Sequence, residues 1–165
     1  MLTLGIDPGT ATTGFGLVRQ QNDKLSYVSC GCVITTPKET SQGRLAKIYH
    51  DIKELIAIHR PDCVAVERLF FGENTKTAMA VGQARGIVLL AAAEGKVRVA
   101  EYTPLEVKIA LTGYGKAEKR QIQQMVRVML KLNDIPKPDD AADALAVAIC
   151  HLHSYKFKAS ALALA

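Results

Sequence analysis

The stretch Met1-Leu2-Thr3-Leu4-Gly5-Ile6-Asp7-Pro8-Gly9-Thr10-Ala11-Thr12-Thr13-Gly14-Phe15-Gly16-Leu17-Val18 decides how the rest of the chain is read. Strand alternation puts Leu2, Leu4 and Ile6 on one side of a sheet, and the run then delivers a carboxylate, Asp7, at the sheet's rim. Pro8 and Gly9 make a turn. Gly14 and Gly16 leave the returning strand bare of side chains, which suits the close approach of a large ligand or of another backbone. An aspartate before Pro-Gly also opens a turn on its own account. The role of Asp7 therefore depends on whether other carboxylates reach the same place.

With 165 residues, 48% of them hydrophobic, the chain is long and apolar enough for one domain with a substantial core. The apolar runs, such as 86–93, are too short to span a bilayer, and the N-terminus lacks a basic stretch followed by an apolar signal core. A cytoplasmic protein with no membrane contact is expected. Cys30, Cys32, Cys63 and Cys150 lie in apolar patterns without a Cys-x-x-Cys pair, so they read as reduced core residues rather than metal ligands. The net charge of +5 points weakly to an acidic partner such as nucleic acid.

Beyond the hairpin, Lys24 to Ile34 alternates as a third strand, giving three consecutive antiparallel strands. Thr40 or Ser41 can cap a helix in which Leu45, Ile48, Ile52, Leu55 and Ile56 recur at helical spacing up to Pro61. Asp62 to Glu67 is an unbroken apolar run ending in an acid, the pattern of a central strand buried on both faces. A loop over Arg68 to Asn74 leads into a helix from about Thr75 to Glu94, with Ala78, Gly82 and Gly86 as a stripe of small residues. Val97 to Glu101 is a short strand. Pro104 starts a helix to about Leu111, the turn Gly113-Tyr114-Gly115 breaks it, and Lys116 to Leu132 resumes as a helix. A last helix spans Asp139 to about His153, followed by a frayed Ala-Leu tail. The order predicts an α/β fold, a mixed five-stranded sheet with helices on both faces. Parallel pairing of the first and fourth strands would set Asp7 beside Glu67.

Asp140 and Asp143, three apart at the start of a helix, share a face and can both point at one ion. Asp139 is better read as a helix cap or as a complement to the helix dipole. Asp143 sits in a closely packed helix and Glu67 ends a wholly apolar run, so each needs a partner for its charge. With Asp7 they make four carboxylates and no His or Cys, an all-oxygen set suited to magnesium or manganese and not zinc. Two divalent ions about 4 Å apart are the arrangement that cleaves phosphodiesters, one activating water and the other stabilising the leaving oxygen. Lys108, Lys116, Lys119, Arg120, Arg127 and Lys131 fall in one region from which phosphates can be gripped, although any single one also fits a solvated helix face. Phe70 and Phe71 stand just beyond Glu67, where an exposed aromatic stacks on a base or holds strands apart, and a buried one serves the core.

Taken together, Leu4-Gly5-Ile6-Asp7-Pro8-Gly9, Val66-Glu67-Arg68-Leu69-Phe70-Phe71, Val81-Gly82-Gln83-Ala84-Arg85-Gly86, Lys116-Ala117-Glu118-Lys119 and Ala141-Ala142-Asp143-Ala144-Leu145-Ala146 resemble, in order and over nearly the whole chain, the RuvC family of bacterial crossover junction endodeoxyribonucleases. The resemblance implies a ribonuclease H-like fold over 1–154, with a flexible tail over 155–165. It implies a homodimer that resolves Holliday junctions, four-way junction DNA, by paired nicks in two strands of like polarity. Magnesium is the implied cofactor, two ions per subunit with manganese as an alternative, and the nicks leave 5'-phosphate and 3'-hydroxyl ends that a ligase can join. The implied partners are the RuvA and RuvB branch-migration proteins. On the family's pattern Asp7, Glu67, Asp140 and Asp143 are the catalytic, metal-binding acids, Lys108 and Lys119 are functional lysines, and Phe70 is the junction-wedging aromatic. Histidine is an alternative at the position of Asp140. The helix with the small-residue stripe resembles the family's dimer helix, though packing on the chain's own sheet would account for its glycines too.

Two rivals share parts of this pattern. The first hairpin also resembles the phosphate loop of the actin and Hsp70 type of ATPase, but that fold needs a second lobe and a second glycine-rich loop. A silent DNA-binding protein on the same fold would gain nothing from four acids that repel DNA.

Overall fold

The computed structural model describes residues 1–68 and 75–163. Strands β1 (Leu2–Asp7), β2 (Thr12–Gln21) and β3 (Lys24–Ile34) form the expected meander, and β4 (Cys63–Glu67) and β5 (Arg98–Tyr102) complete a sheet in the order β3-β2-β1-β4-β5. β1 pairs antiparallel with β2 and parallel with β4, and β4 pairs parallel with β5. The β2–β3 turn places Asn22 and Asp23 both at positive φ, the backbone that a tight two-residue hairpin requires.

Strand alternation divides the chemistry between two layers. Leu2, Leu4 and Ile6 of β1 and Val64 and Val66 of β4 pack with α1 (Ser41–His59) and α2 (Thr75–Glu94) on one face. The intervening positions of both strands, ending in Asp7 and Glu67, face the opposite layer, where Ala65 packs among α3 (Pro104–Thr112), α4 (Lys119–Met129) and α5 (Asp139–Ala163). Thr40 caps α1 by accepting from the Gly43 N–H, and Thr103 with Glu106 forms a capping box ahead of Pro104 in α3.

Glycines decide where α5 sits. A Cβ on Gly5 would lie 2.1 Å from the Ala144 carbonyl, one on Gly14 would lie 2.0 Å from the Asp140 carbonyl, and one on Gly16 would lie 2.7 Å from Leu145. The bare track on β1 and β2 is thus the seat of a helix backbone, the second of the two occupants that its sequence allows. Seating α5 there brings the helix's first turn, with Asp140, against Gly14, which is paired across the ladder with Asp7.

Several boundaries differ from the expectation, among them the end of α4 at Met129 rather than Leu132 and the start of β4 at Cys63 rather than Asp62. α4 begins at Lys119 rather than Lys116, because the Gln121 side chain accepts from the Glu118 N–H and fixes the helix start there. β5 is displaced to Arg98–Tyr102, which takes in the buried Tyr102. α5 runs past His153 to Ala163, since an Ala- and Leu-rich tail has high helix propensity and holds no Gly or Pro to stop it.

Candidate active site

The parallel β1–β4 pair places Ile6 opposite Val66, so Asp7 and Glu67 end adjacent strands on the same face of the sheet. The first two turns of α5 add Asp140 and Asp143. These acids repel one another in a partly dry environment. Burial first, then Glu67, Asp143 and Asp140 in turn, push the Asp7 carboxyl up to about 7, against an opposing pull from Lys119. Glu67 is raised by burial and by Asp143, and Asp143 is raised by burial despite Lys119. Burial and mutual repulsion thus make Asp7, Glu67 and Asp143 hold their protons to higher pH than free carboxyls do.

Lys119, on the first turn of α4, brings a positive charge into direct contact with the group. Its Nζ lies 2.9 Å from Asp143 and 3.4 Å from Asp139, and the hydrogen bond to Asp143 raises its own proton affinity. The expectation of Asp139 as a mere cap is thus incomplete, for it helps to hold Lys119. Glu67, Lys108, Lys119 and Asp143 line one cleft of about 200 Å3, walled by Pro104, Val107, Ile122 and Ala146. Lys108 therefore belongs to the site, whereas Lys116 is exposed outside this cleft and Arg120 lines a neighbouring one. Phe70 and Phe71, with the rest of 69–74, lie outside the described residues.

Cys32 is a neighbour that the sequence did not advertise. It pairs with Gly14 in the β2–β3 ladder, and burial followed by the Asp140 charge pushes its thiol up to about 11. A thiol held protonated is a poor metal ligand. None of the four cysteines forms a disulfide; Cys63 and Cys150 are buried and Cys30 and Cys32 half-buried.

The donor set fits a hard divalent cation by its chemistry: four carboxylates, with burial and their neighbours raising the proton affinity of Asp7, Glu67 and Asp143, and no imidazole or thiolate among them. Among the described residues, no three His, Cys, Asp or Glu side chains converge tightly enough to hold an ion as they stand. Lys119 takes part of that electrostatic role; Asp7, Glu67, Asp140 and Asp143 are the residues that would hold an ion, and Asp143 would then share or give up its contact with Lys119.

Comparison with known proteins accords with this geometry. The family model "Crossover junction endodeoxyribonuclease RuvC" matches residues 3–151. The RuvC proteins of Heliobacterium modesticaldum and Desulforamulus reducens are 58% and 56% identical over 155 and 151 residues. The alignments cover 93% and 92% of this chain, and 95% and 93% of those proteins. The structure of Thermus thermophilus RuvC in complex with a Holliday junction substrate superposes with a TM-score of 0.87 at 36% identity, covering 95% of this chain and 96% of that one. With a family match across almost the whole domain and an acid cluster built by both ends and the middle of the chain, this protein belongs to the RuvC family of crossover junction endodeoxyribonucleases.

Proposed function

We propose that the chain is a structure-selective endonuclease that resolves Holliday junctions in recombination and repair. The observation that carries this reading is the meeting of Asp7, Glu67, Asp140 and Asp143 with Lys108 and Lys119 at the carboxyl ends of β1 and β4. Nucleases of this family are metal-dependent. We infer magnesium, two ions per subunit with manganese as an alternative, held by the four acids. When bound, such ions supply water activation and stabilisation of the leaving 3'-oxygen. Lys108 holds a phosphate oxygen at the cleft wall, and Lys119 Nζ stands within proton-transfer reach of the acids while its charge offsets their repulsion of DNA. Lys116 and Arg120 grip the flanking backbone, and Phe70 is assigned the strand-wedging role. Hydrolysis in this frame leaves 5'-phosphate and 3'-hydroxyl ends.

A homodimer is supported by α2, whose outer face exposes Met79 and Leu90 and leaves open space around Gly86. Apolar groups on one helix face gain most by meeting a second copy, and two copies supply the two active sites that paired nicks need. The RuvA and RuvB branch-migration proteins are the inferred partners, and the cytoplasm is the inferred location. Among the described residues no helix is long and apolar enough to cross a membrane. The test is cleavage of a synthetic four-way junction with and without magnesium, beside a linear duplex of the same sequence. Paired nicks in the junction alone, lost with EDTA, are expected. Equal cutting of linear duplex would overturn structure selectivity, and magnesium-independent binding without nicks would overturn the nuclease.

A further inference from the structure

The turn between α3 and α4 presents an aromatic ring to solvent on a firmly held backbone. Gly113 closes α3 in the left-handed conformation, its N–H donating to the Ile109 carbonyl at 2.8 Å. The next residue, Tyr114, is then pinned on both sides: its N–H donates to Thr112 Oγ1 at 3.1 Å, and its carbonyl accepts from the Ala117 N–H at 3.2 Å. Thr112 is itself anchored, its hydroxyl donating to the Lys108 carbonyl at 2.8 Å, and Ala117 is buried. Tyr114 nevertheless remains 58% exposed. A rigid backbone carrying a large exposed ring has already met most of the ordering cost that a stacking contact demands.

Beside that ring lies a cleft of about 620 Å3, which Tyr114 lines with Arg120, Gln121, Gln124 and Met125 of α4 and the turn residues Thr112, Ala117 and Glu118. Lys119 and Ile122, on a different face of the same helix, line the acid cleft. The two clefts therefore flank the first turns of α4, about one helix diameter or roughly 10 Å apart. Arg120 is an exposed cation lining the second cleft, Lys116 is an exposed cation that precedes the lining residue Ala117 in the chain, and Glu118 is the one acid among the lining residues. Gln121 Oε1 accepts from the Glu118 N–H, which leaves the Gln121 amide NH2 as a donor. An exposed ring, two cations and an amide donor beside a phosphodiester-cleaving cleft are the groups that hold a single nucleotide, with ring on base and cations on phosphate.

We propose that Tyr114 and its cleft form a nucleotide subsite for one junction strand, in which the ring stacks on a base a few nucleotides from the cut and Lys116 and Arg120 neutralise the adjoining phosphates. The proposal rests on the reading of the chain as a junction nuclease. It is tested by binding of the full-length protein to four-way junctions in which single nucleotides on either side of the cut are replaced one at a time by abasic residues. Wild type should lose affinity by about 5- to 150-fold at one or two positions, the range that a single stacked base supplies. Tyr114→Ala should show that loss on the intact junction and none further at those positions, whereas Tyr114→Phe should match wild type. Thermal unfolding of Tyr114→Ala at the wild-type midpoint separates the stacking loss from misfolding. Equal affinities of Tyr114→Ala and wild type with superimposable abasic profiles would overturn the subsite, as would additive losses. A wild-type protein that binds no junction at all would overturn the functional reading instead.

Discussion

Glu67 ends β4 and Glu101 is the last residue but one of the adjacent parallel strand β5, one residue out of register, and their surroundings are opposite. Glu101, facing the α2 layer, forms an ion pair with Arg85 and lies 4.0 Å from Arg68. Glu67, facing α5, has Asp143 as its strongest charged neighbour, with Lys119 to offset it among the described residues. One carboxylate is neutralised by fixed protein cations and serves the fold. The other is kept in surplus with Asp7, Asp140 and Asp143. A surplus of buried negative charge costs stability unless protons or a mobile cation meet it, so the difference marks Glu101 as a structural acid and supports the catalytic role proposed for Glu67.

The largest effect that can break this comparison is on the chemistry. Asp7→Asn or Glu67→Gln should lower junction cleavage by about three orders of magnitude or more, because each removes an oxygen donor for metal assistance, while leaving junction binding intact. Glu101→Gln should keep cleavage within about tenfold of wild type, since its partners stand on the other face of the sheet. Single-turnover nicking and gel-shift affinity of the three variants provide the measurement. Comparable losses from Glu101→Gln and Glu67→Gln would show that the two acids are not divided in this way.

Next in size is the pH dependence of stability without divalent metal. Asp7 in the folded chain takes up its proton at a pH of about 7, above the ordinary aspartate range. Between about pH 4 and 7 the folded state thus holds more protons than the unfolded state, and stability falls as pH rises through that window. Urea unfolding in EDTA should show a decline of roughly 2 to 4 kcal/mol for wild type, at about 1.4 kcal/mol per pKa unit. Asp7→Asn should flatten the decline and be the more stable protein at pH 8, with no advantage near pH 4. Magnesium should restore wild type at pH 8 and do little for the variant. A flat wild-type profile would show that the acids are too well solvated to repel.

Much of this was legible in the chain, and the rest was hidden for identifiable reasons. The alternation of Leu2, Leu4 and Ile6 fixes which way Asp7 faces, and the apolar run up to Glu67 marks a central strand, so the meeting of those acids needs only one parallel pairing. Gly14 and Gly16 announce a close approach, but nothing local says whether ligand or backbone arrives; the occupant, α5, lies more than a hundred residues along. The Glu101 ion pairs depend on the register of β5 against β4 and on the rotation of α2, neither of which is a local property. The role of Asp139 at Lys119 was masked by its aptness as a helix-start residue, and the run of α5 to Ala163 by the habit of chain ends to fray.

The smallest effect tests the other side of the comparison. The Arg85–Glu101 pair is partly buried, with about a quarter of each side chain exposed, and Arg85 Nε is buried without a partner of its own. Glu101→Gln leaves a guanidinium in that environment facing a neutral amide. It should destabilise the chain by about 1 to 2 kcal/mol, less than a fully desolvated pair because water still reaches both groups. Adding Arg85→Gln to it should recover part of the loss, since the uncompensated charge is then removed as well. Urea unfolding of the two single variants and the double closes the cycle, and strict additivity would mean that Glu101 is held by something other than Arg85. No such recovery is expected when Lys119→Gln is combined with Glu67→Gln, because Lys119 bonds Asp143 and Asp139 and its charge is still needed there.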